Sequence, residues 1–384
     1  MLSRAEYSVI TAEGCSAILF RSADKVAEAL EVLQPTADSM LRYGIIDEIV
    51  KEPTLEKSDY ITLTLKRLEK SLMANCKELE HLDVRYLRQN LRDNIDKVGQ
   101  IEKQPNIYKG ISKKIKAWLP NYFGKPSTPD VSQMQLALYG AEPHFCNDEK
   151  DGEGKTTRAG CRKQLTREQL HENHSECPYC HKPETLGSDD YLDFLLDENS
   201  FHEIKPELSA DNIDSKYKFF DYSSSRLKTK SRTDSKDSLV TGYGTMFHYP
   251  IAVAVCDFRF MGGSMSSVFG EKMKIIVDFA ISQRVPLLTI TVSGGARMQE
   301  GTVALYQMAK TISAISKLKE QGLPHISLLG HPTTGGALAS YAVQGDFILA
   351  EKKSIIAFAG DRVVKLTSGG RGVDPETMTS EYYK

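Results

Sequence analysis

Disulfide-forming residues and long apolar runs are scarce in this chain of 384 residues. It holds seven cysteines and one tryptophan, and no uninterrupted apolar run approaches the ~20 residues that a membrane-spanning helix needs. Seven cysteines are too few to staple a chain of this length, so we exclude a disulfide scaffold. The N-terminus also lacks the basic, apolar and small-residue pattern of a secretory signal. We therefore expect a protein of a reducing compartment, by default the cytoplasm.

An excess of charge of one sign is missing as well. The chain carries 49 Lys and Arg against 51 Asp and Glu, a formal net charge of -2. This balance argues against a general binder of polyanions such as nucleic acid. The length predicts two or three domains, at roughly 150 residues each.

Two short apolar runs, residues 285–292 and 324–329, each lead into a turn that holds a pair of glycines. Such runs predict buried strands of an α/β sheet, and the apolar spacing over residues 302–318 predicts a helix between them. The pairs are Gly294-Gly295 and Gly335-Gly336. One pair alone would be ordinary turn chemistry. Two pairs at equivalent junctions predict backbone amides that hold a developing oxyanion.

A third glycine turn, Gly262-Gly263-Ser264, follows a predicted strand at residues 251–255 and precedes a predicted helix at residues 271–282. Turns of this kind can cradle an anion. We predict that these three residues, together with Arg297, contact the substrate.

The stretches around these turns carry a family resemblance. They read FMGGSMSSVFGEK, SGGARMQEG and PTTGGALAS, and they resemble the β subunit of bacterial and plastid acetyl-CoA carboxylase carboxyltransferase over about residues 161–364. The resemblance implies a crotonase-like domain of the ClpP/crotonase superfamily, an α/β ββα-superhelix, at residues 205–384. We expect this domain to lack the last helices of the family.

The first 104 residues carry a second resemblance. EYSVITAEGCSAILFRSADK and YGIIDEIVKEP resemble the C-terminal part of the carboxyltransferase α subunit, whose own glycine-rich loop precedes this point. We predict a strand at residues 7–10, helices at 23–33 and 36–41 with Gly44 as a C-cap, and charged surface helices over 54–104. Residues 105–143, which include GKPSTPD, are a predicted linker.

A metal knuckle is indicated at residues 144–204. Cys177 and Cys180 form a CxxC pair, and Cys161 lies 16 positions earlier. In the family, two CxxC pairs flank such a gap and bind a structural zinc, whose closed four-ligand site stabilises a small ribbon. This chain departs from the pattern, and Cys146, displaced by an insertion at 147–160, is the predicted fourth ligand. A free Cys146 thiol stays open, and the alternative fourth ligands are His144, His171 and His174.

The β-subunit resemblance implies the carboxyltransferase component of acetyl-CoA carboxylase, in the first step of fatty acid biosynthesis. The reaction moves a carboxyl group from carboxybiotin on a separate carrier protein to acetyl-CoA and gives malonyl-CoA. Charge develops on the thioester oxygen, which the amides of Gly294-Gly295 and Gly335-Gly336 are expected to hold. The released biotin nitrogen can take the proton, so no side-chain nucleophile is needed. A second oxyanion hole belongs to the α subunit, so the chain alone is expected to be an incomplete catalyst.

The implied partners are an α subunit or α-type domain, the biotin carboxyl carrier protein and the ATP-dependent biotin carboxylase, in an α2β2-type assembly without a membrane. The implied location is the cytoplasm, with the plastid as an alternative, and propionyl-CoA stays open as a substrate.

Two other functions stay open. One is another crotonase-type acyl-CoA enzyme with an acid or base such as Glu300. The other is a non-catalytic zinc-ribbon protein that binds nucleic acid or regulates a partner.

Residues 223–236 are rich in Ser and Lys, which predicts a mobile loop or linker. Its basic residues could meet the phosphates of coenzyme A, although a solvated loop explains any one of them equally well. They are Arg226, Lys228, Lys230 and Arg232.

Overall fold

The computed structural model describes residues 1–54, 59–100, 144–147, 149–150, 156–173, 176–182, 184–213, 222–233, 235–360, 363–365 and 375–383. The predicted linker at 105–143 and the alternative zinc ligand His174 lie outside these residues. The boundaries of the four predicted segments stay predictions.

Strands in the described residues form one seven-stranded sheet and two small two-stranded sheets. In chain order the strands are β1 (His144–Phe145), β2 (Glu149–Lys150), β3 (Thr156–Arg158), β4 (Gln164–Leu165), β5 (His202–Glu203), β6 (Leu239–Met246), β7 (Tyr249–Cys256), β8 (Leu287–Ser293), β9 (His325–Thr334), β10 (Phe347–Ala350) and β11 (Ile356–Ala357).

Helices precede and cover the large sheet. In chain order, those of the described residues are α1 (Ala12–Phe20), α2 (Val26–Leu33), α3 (Ala37–Tyr43), α4 (Tyr60–Leu79), α5 (Val84–Lys97), α6 (Arg167–Glu172), α7 (Ser188–Leu195), α8 (Ser223–Thr233), α9 (Ser267–Gln283), α10 (Gly301–Glu320) and α11 (Gly335–Leu338).

The large sheet has the order β10-β9-β8-β7-β6-β5, with β11 also paired to β9. The strands β7, β8, β9 and β10 are parallel, whereas β5 and β6 join antiparallel at the other edge. Every residue of β8 is buried, which is why this strand reads as a continuous apolar run. The predicted strands and the helices between them are confirmed. The strand β9 runs beyond its predicted end because β11 pairs with its last residues, Ile356 opposite Thr333.

The N-terminal segment is helical from Ala12 onward, and the predicted strand at residues 7–10 is wrong. The Thr11 hydroxyl caps α1 by accepting from the Gly14 amide at 3.1 Å, and this cap sets the helix start. The helix predicted from residue 23 begins at Val26. The predicted C-cap at Gly44 is confirmed, with φ +74°. The charged surface helices predicted after residue 54 are also confirmed, as α4 and α5.

The N-terminal helices pack directly on α10. Cys15, Ala29 and Leu33 form a buried cluster with Met298 and Leu305. Next to it, the Thr302 hydroxyl donates to the Leu33 carbonyl. This segment therefore rests against the helix that follows the SGGARMQEG turn.

The loop predicted at residues 223–236 is instead a helix over most of its length, because α8 spans Ser223–Thr233. The stretch contains no Gly or Pro, so nothing in it breaks a helix. Tyr222, immediately before α8, is buried and fixes the start of the helix to the protein.

Candidate active site and metal site

Three glycine turns meet at one edge of the sheet. They follow β7, β8 and β9, which are parallel neighbours, so their carboxyl ends coincide. The first two turns are hydrogen-bonded to each other. The Gly294 amide donates to the Gly262 carbonyl at 2.8 Å, and the Met265 amide donates to the Gly295 carbonyl at 2.8 Å. The sequence-predicted glycines are therefore brought together.

The two Gly-Gly pairs are in direct contact. A Cβ on Gly295 would lie 2.9 Å from the Gly336 nitrogen, and a Cβ on Gly335 would lie 2.9 Å from the Gly294 oxygen. Gly295 and Gly335 also have φ values of +107° and +63°, which L side chains rarely adopt. Both positions therefore need glycine for approach and for conformation.

The first turn is equally tight. A Cβ on Gly263, which has φ +62°, would lie 2.0 Å from the Val292 oxygen. The Ser293 hydroxyl donates to the Gly263 carbonyl at 2.7 Å. Gly263 is thus required by its contact with β8, whatever further role it has toward a ligand.

The backbone amides of the four predicted catalytic glycines differ in whether they are already hydrogen-bonded within the protein. The Gly294 amide is committed to the Gly262 carbonyl, so its predicted role as an oxyanion donor is not supported by this geometry. The Gly295 amide donates to the Ser293 hydroxyl at 3.1 Å, and that hydroxyl is itself held by the Gly263 carbonyl.

Gly335 and Gly336 are the first two residues of α11, so their amides have no partner within that helix. Outside the pairing of β9 with β11, which extends to Thr334 opposite Ala357, neither amide donates to a backbone acceptor in the described part of the chain. The amides at the contact of the two Gly-Gly pairs are thus those of Gly295, Gly335 and Gly336.

Arg297 is buried beneath these turns. Its side chain is fully inaccessible to solvent, and its Nη1 lies 2.8 Å from the Asp237 Oδ2. Its Nη2 donates to the Ser264 carbonyl and its Nε to the Ser264 hydroxyl, at 2.9 and 3.1 Å. With these donors engaged, Arg297 has no face toward a ligand. We correct its predicted role from substrate contact to holding the first turn against Asp237.

Glu300 is a second buried carboxylate below the site. Its Oε2 accepts from the backbone amide and the hydroxyl of Ser267, both at 2.7 Å, and its Oε1 accepts from the Tyr222 hydroxyl at 2.5 Å. Burial raises the pKa of Glu300, and the positive charge of Arg297 opposes that rise. The carboxylate therefore caps α9 and anchors Tyr222.

Sequence reasoning missed Asp237 and Tyr222 as parts of this site. Their partners Arg297 and Glu300 lie 60 and 78 positions away along the chain. The sequence signal is an acid two positions before the start of the strand β6. That signal does not identify a partner at such a distance.

Four cysteines form the predicted metal cluster. The sulfur atoms of Cys146, Cys161, Cys177 and Cys180 all lie within 4.8 Å of one another. The distances are 3.5 Å between Cys146 and Cys180 and 3.6 Å between Cys161 and Cys177. Four thiolates ~2.3 Å from a tetrahedral zinc would be roughly 3.8 Å apart. The donor set therefore fits zinc.

The insertion at 147–160 explains how Cys146 joins Cys161. The insertion contains the antiparallel strand pair β2–β3, which lies between Cys146 and Cys161 in the sequence. At its base the Arg162 amide donates to the Cys146 carbonyl at 2.7 Å, and the Cys146 amide donates to the Lys163 carbonyl at 3.0 Å. These two hydrogen bonds bring Cys146 next to Cys161, although the two cysteines are not spaced as a CxxC pair in the sequence.

Family models match two parts of the chain. The one described as carboxyl transferase domain matches residues 190–381, half of the chain. The one described as acetyl co-enzyme A carboxylase carboxyltransferase-like matches residues 1–99. None of the helices in the described residues is long and apolar enough to cross a membrane.

Individual proteins are similar over more than half of the chain. The acetyl-coenzyme A carboxylase carboxyl transferase subunit beta of Prochlorococcus marinus (strain MIT 9312) is 41% identical over 237 residues, 61% of this chain and 80% of that protein. The same subunit of Pedobacter heparinus is 41% identical over 211 residues, 54% of this chain and 74% of that protein. A solved structure of transcarboxylase 12S, with methylmalonyl-coenzyme A and methylmalonic acid bound, is 27% identical. It covers 56% of this chain and 37% of its own, with a TM-score of 0.43.

Proposed function

Since the chain belongs to the family of acetyl-coenzyme A carboxylase carboxyl transferase beta subunits, we propose that it transfers the carboxyl group of carboxybiotin to acetyl-CoA and so forms malonyl-CoA. The biotin is carried on a separate protein. Malonyl-CoA production places the chain in fatty acid biosynthesis.

The observation that carries this proposal is the meeting of the glycine turns. The amides of Gly295, Gly335 and Gly336 lie where the two Gly-Gly pairs touch, and in the described residues the Gly336 amide has no backbone acceptor. Acyl transfer through an enolate needs donors of this kind, because they are strongest where charge develops in the transition state.

The chemistry divides between the chain and its substrates. Carboxybiotin loses its carboxyl group as CO2, and the freed biotin nitrogen takes a proton from the methyl group of acetyl-CoA. The resulting enolate carbon attacks CO2 to give malonyl-CoA. The chain holds the thioester oxygen through backbone amides while the negative charge is on it. No side-chain nucleophile is required.

Another crotonase-type reaction, such as hydration, needs an acid or base side chain over the substrate. Glu300 is the carboxylate that sequence places next to the turn, but both of its oxygens are held by Ser267 and Tyr222. This engagement favours carboxyl transfer over hydration.

We further propose that Cys146, Cys161, Cys177 and Cys180 hold a structural zinc ion. Zinc bound there would cross-link two knuckles and so stabilise the ribbon. Its closed donor set leaves no position for a substrate, so it takes no part in the carboxyl transfer.

The proposed partners are an α-type carboxyltransferase domain, the biotin carboxyl carrier protein and biotin carboxylase, in an α2β2-type assembly. The match of residues 1–99 to the acetyl co-enzyme A carboxylase carboxyltransferase-like family supports the first of these. We propose the cytoplasm as the location, with the plastid as the alternative, because the substrates are soluble.

Reconstitution tests the proposed function. The full chain, an α-type partner and a carrier protein bearing ¹⁴C-carboxybiotin are mixed with acetyl-CoA, and labelled malonyl-CoA is measured. We expect label in malonyl-CoA only when the partner is present, because the partner supplies the site for the biotin carbonyl. Label transfer by the chain alone would contradict the two-site mechanism. No transfer in the complete mixture would contradict the function.

A further inference from the structure

The basic helix α8 begins next to a residue that is hydrogen-bonded to Glu300, below the glycine turns. Tyr222 is 8% exposed, and its hydroxyl donates to the Glu300 Oε1 at 2.5 Å. The helix α8 begins at the next residue. Glu300 follows the SGGAR turn within five residues, so the start of α8 is tied to the turn that we propose as the oxyanion site.

Only positive charges occur along this helix. Its sequence, SSSRLKTKSRT, contains four basic residues and no acid. Eleven residues of α-helix extend about 16 Å at ~1.5 Å each. The helix thus carries positive charge along its length from the Tyr222 anchor onward.

Helical spacing separates the basic residues into two faces. Arg226 and Lys230 follow Tyr222 by four and eight positions, so all three lie on one face at ~100° per residue. The structure agrees, because Arg226 and Lys230 are half-buried, whereas Lys228 is exposed. We call the face with Tyr222, Arg226 and Lys230 the anchored face. Lys228 lies on the opposite face of the helix.

The face of α8 that carries Arg226 and Lys230 lies near the carboxylate of Asp211. Arg226 Nη2 is paired with Asp211 Oδ1 at 2.7 Å. Arg226 and, less strongly, Lys230 lower the pKa of Asp211. In the described part of the chain, Lys230 has no carboxylate within ion-pair distance. Asp211 therefore holds Arg226 in place, and no described carboxylate holds Lys230 in the same way.

Cations nearer the turns are already neutralised. Arg297 is paired with Asp237 at 2.8 Å, and Arg259 is paired with Asp257 at 2.6 Å. These two arginines have no charge to spare for a phosphate. Among the described residues, α8 is an element anchored to the site whose Lys230 has no ion-pair partner.

We propose that Lys230, beside the Arg226–Asp211 pair, binds the nucleotide phosphates of the acyl-CoA thioester, and that the Tyr222–Glu300 hydrogen bond sets the position of this subsite relative to the glycine turns. The proposal rests on the proposed function, because it assigns the part of the same site that recognises the coenzyme. It makes α8 the element that distinguishes a coenzyme A thioester from a thioester without phosphates.

Binding to the full chain tests this without any partner protein. Acetyl-CoA and acetyl-pantetheine, which lacks the nucleotide and its phosphates, are titrated by calorimetry into the wild-type chain and into two variants. We expect Lys230→Gln to weaken acetyl-CoA binding about tenfold, the loss of one charge-assisted contact that is partly exposed. Acetyl-pantetheine binding should stay within about twofold of wild type, because it has no group for Lys230.

Lys228→Gln is the matched control, since it removes the same charge from the opposite face of the same helix. It should leave the affinity for both thioesters within about twofold. Equal weakening of acetyl-CoA by the two variants would overturn the proposal, because it would reflect net charge alone. Equal weakening of both thioesters by Lys230→Gln would also overturn it. A wild-type chain that binds neither thioester would contradict the proposed function itself.

Tyr222→Phe tests the anchoring part. It keeps the ring and removes the hydroxyl that contacts Glu300. We expect weaker binding of acetyl-CoA with little change for acetyl-pantetheine. Unchanged binding of acetyl-CoA would show that the anchor does not set the subsite.

Discussion

Replacing Gly295 with Ala tests whether the contact between the two Gly-Gly pairs matters for turnover. The new Cβ would lie 2.9 Å from the Gly336 nitrogen and 3.1 Å from the Gly335 Cα. Both are backbone atoms and cannot rotate aside. The methyl group should therefore move the turn after β9 away from the turn after β8, and with it the amides of Gly335 and Gly336.

Two effects contribute to the magnitude. The backbone at Gly295 has φ +107°, and a side chain in such a conformation costs roughly 1–3 kcal/mol of unfolding free energy. Displacing an oxyanion donor typically lowers turnover by ~10²–10³-fold. We therefore expect a moderate loss of stability and a far larger loss of turnover.

Gly322→Ala separates strain from displacement. Gly322 has φ +68° and no atom within 4 Å of an added Cβ, so Ala there adds only conformational strain of about 1 kcal/mol. Thermal unfolding and malonyl-CoA formation in the reconstituted assembly are measured for both variants. A Gly295→Ala protein that turns over within a few-fold of wild type would refute the reasoning. Equal loss of turnover in Gly322→Ala would refute it as well.

Three further predictions concern the metal cluster, the buried ion pair and one buried histidine. The double variant Cys177→Ser, Cys180→Ser should lose the roughly one zinc per chain that metal analysis is expected to find in the wild type, and unchanged zinc content would contradict the assignment. Asp237→Asn should lower the free energy of unfolding by roughly 3–5 kcal/mol, because it leaves the Arg297 charge buried without its partner; a loss below about 1 kcal/mol in denaturant titration would contradict this role. Burial lowers the pKa of His325 to about 4, so the unfolded chain takes up a proton between pH ~6.5 and ~4 that the folded chain does not, and stability should fall as the pH falls through that window, by up to about 3 kcal/mol. His325→Asn should flatten the pH dependence there, and an unchanged curve would show that the histidine is not its source.

The sheet and its glycine turns could be predicted because their signals are local. A strand buried on both faces is a continuous apolar run, as β8 is, and a turn with no room for a side chain shows as a glycine pair. Parallel order along the chain then placed the turns at one edge. Secondary structure with weak local signals was predicted less well. Residues 7–10 contain apolar residues, but no strand of the described residues pairs with them. The helix α8 resembles a loop in composition.

The hydrogen-bond partners within the site could not be predicted, since they depend on register between distant segments. Whether the Gly294 amide faces a substrate or the Gly262 carbonyl is decided by how the first two turns meet. The same is true of Arg297, whose motif suggests a ligand contact and whose side chain instead meets Asp237. The fourth cysteine is a similar case, because only the hairpin in the insertion shows that Cys146 returns to Cys161.

The thioester carbonyl stretch of bound acetyl-CoA tests the central claim most directly. Acetyl-CoA labelled with ¹³C at the carbonyl is bound to the full chain, and isotope-edited infrared difference spectra are compared with those of the free thioester. If the amides of Gly295, Gly335 and Gly336 hold the oxygen, the stretch should shift to lower frequency on binding, and Gly295→Ala should reverse most of the shift. A bound carbonyl that absorbs at the same frequency as the free thioester would contradict the account.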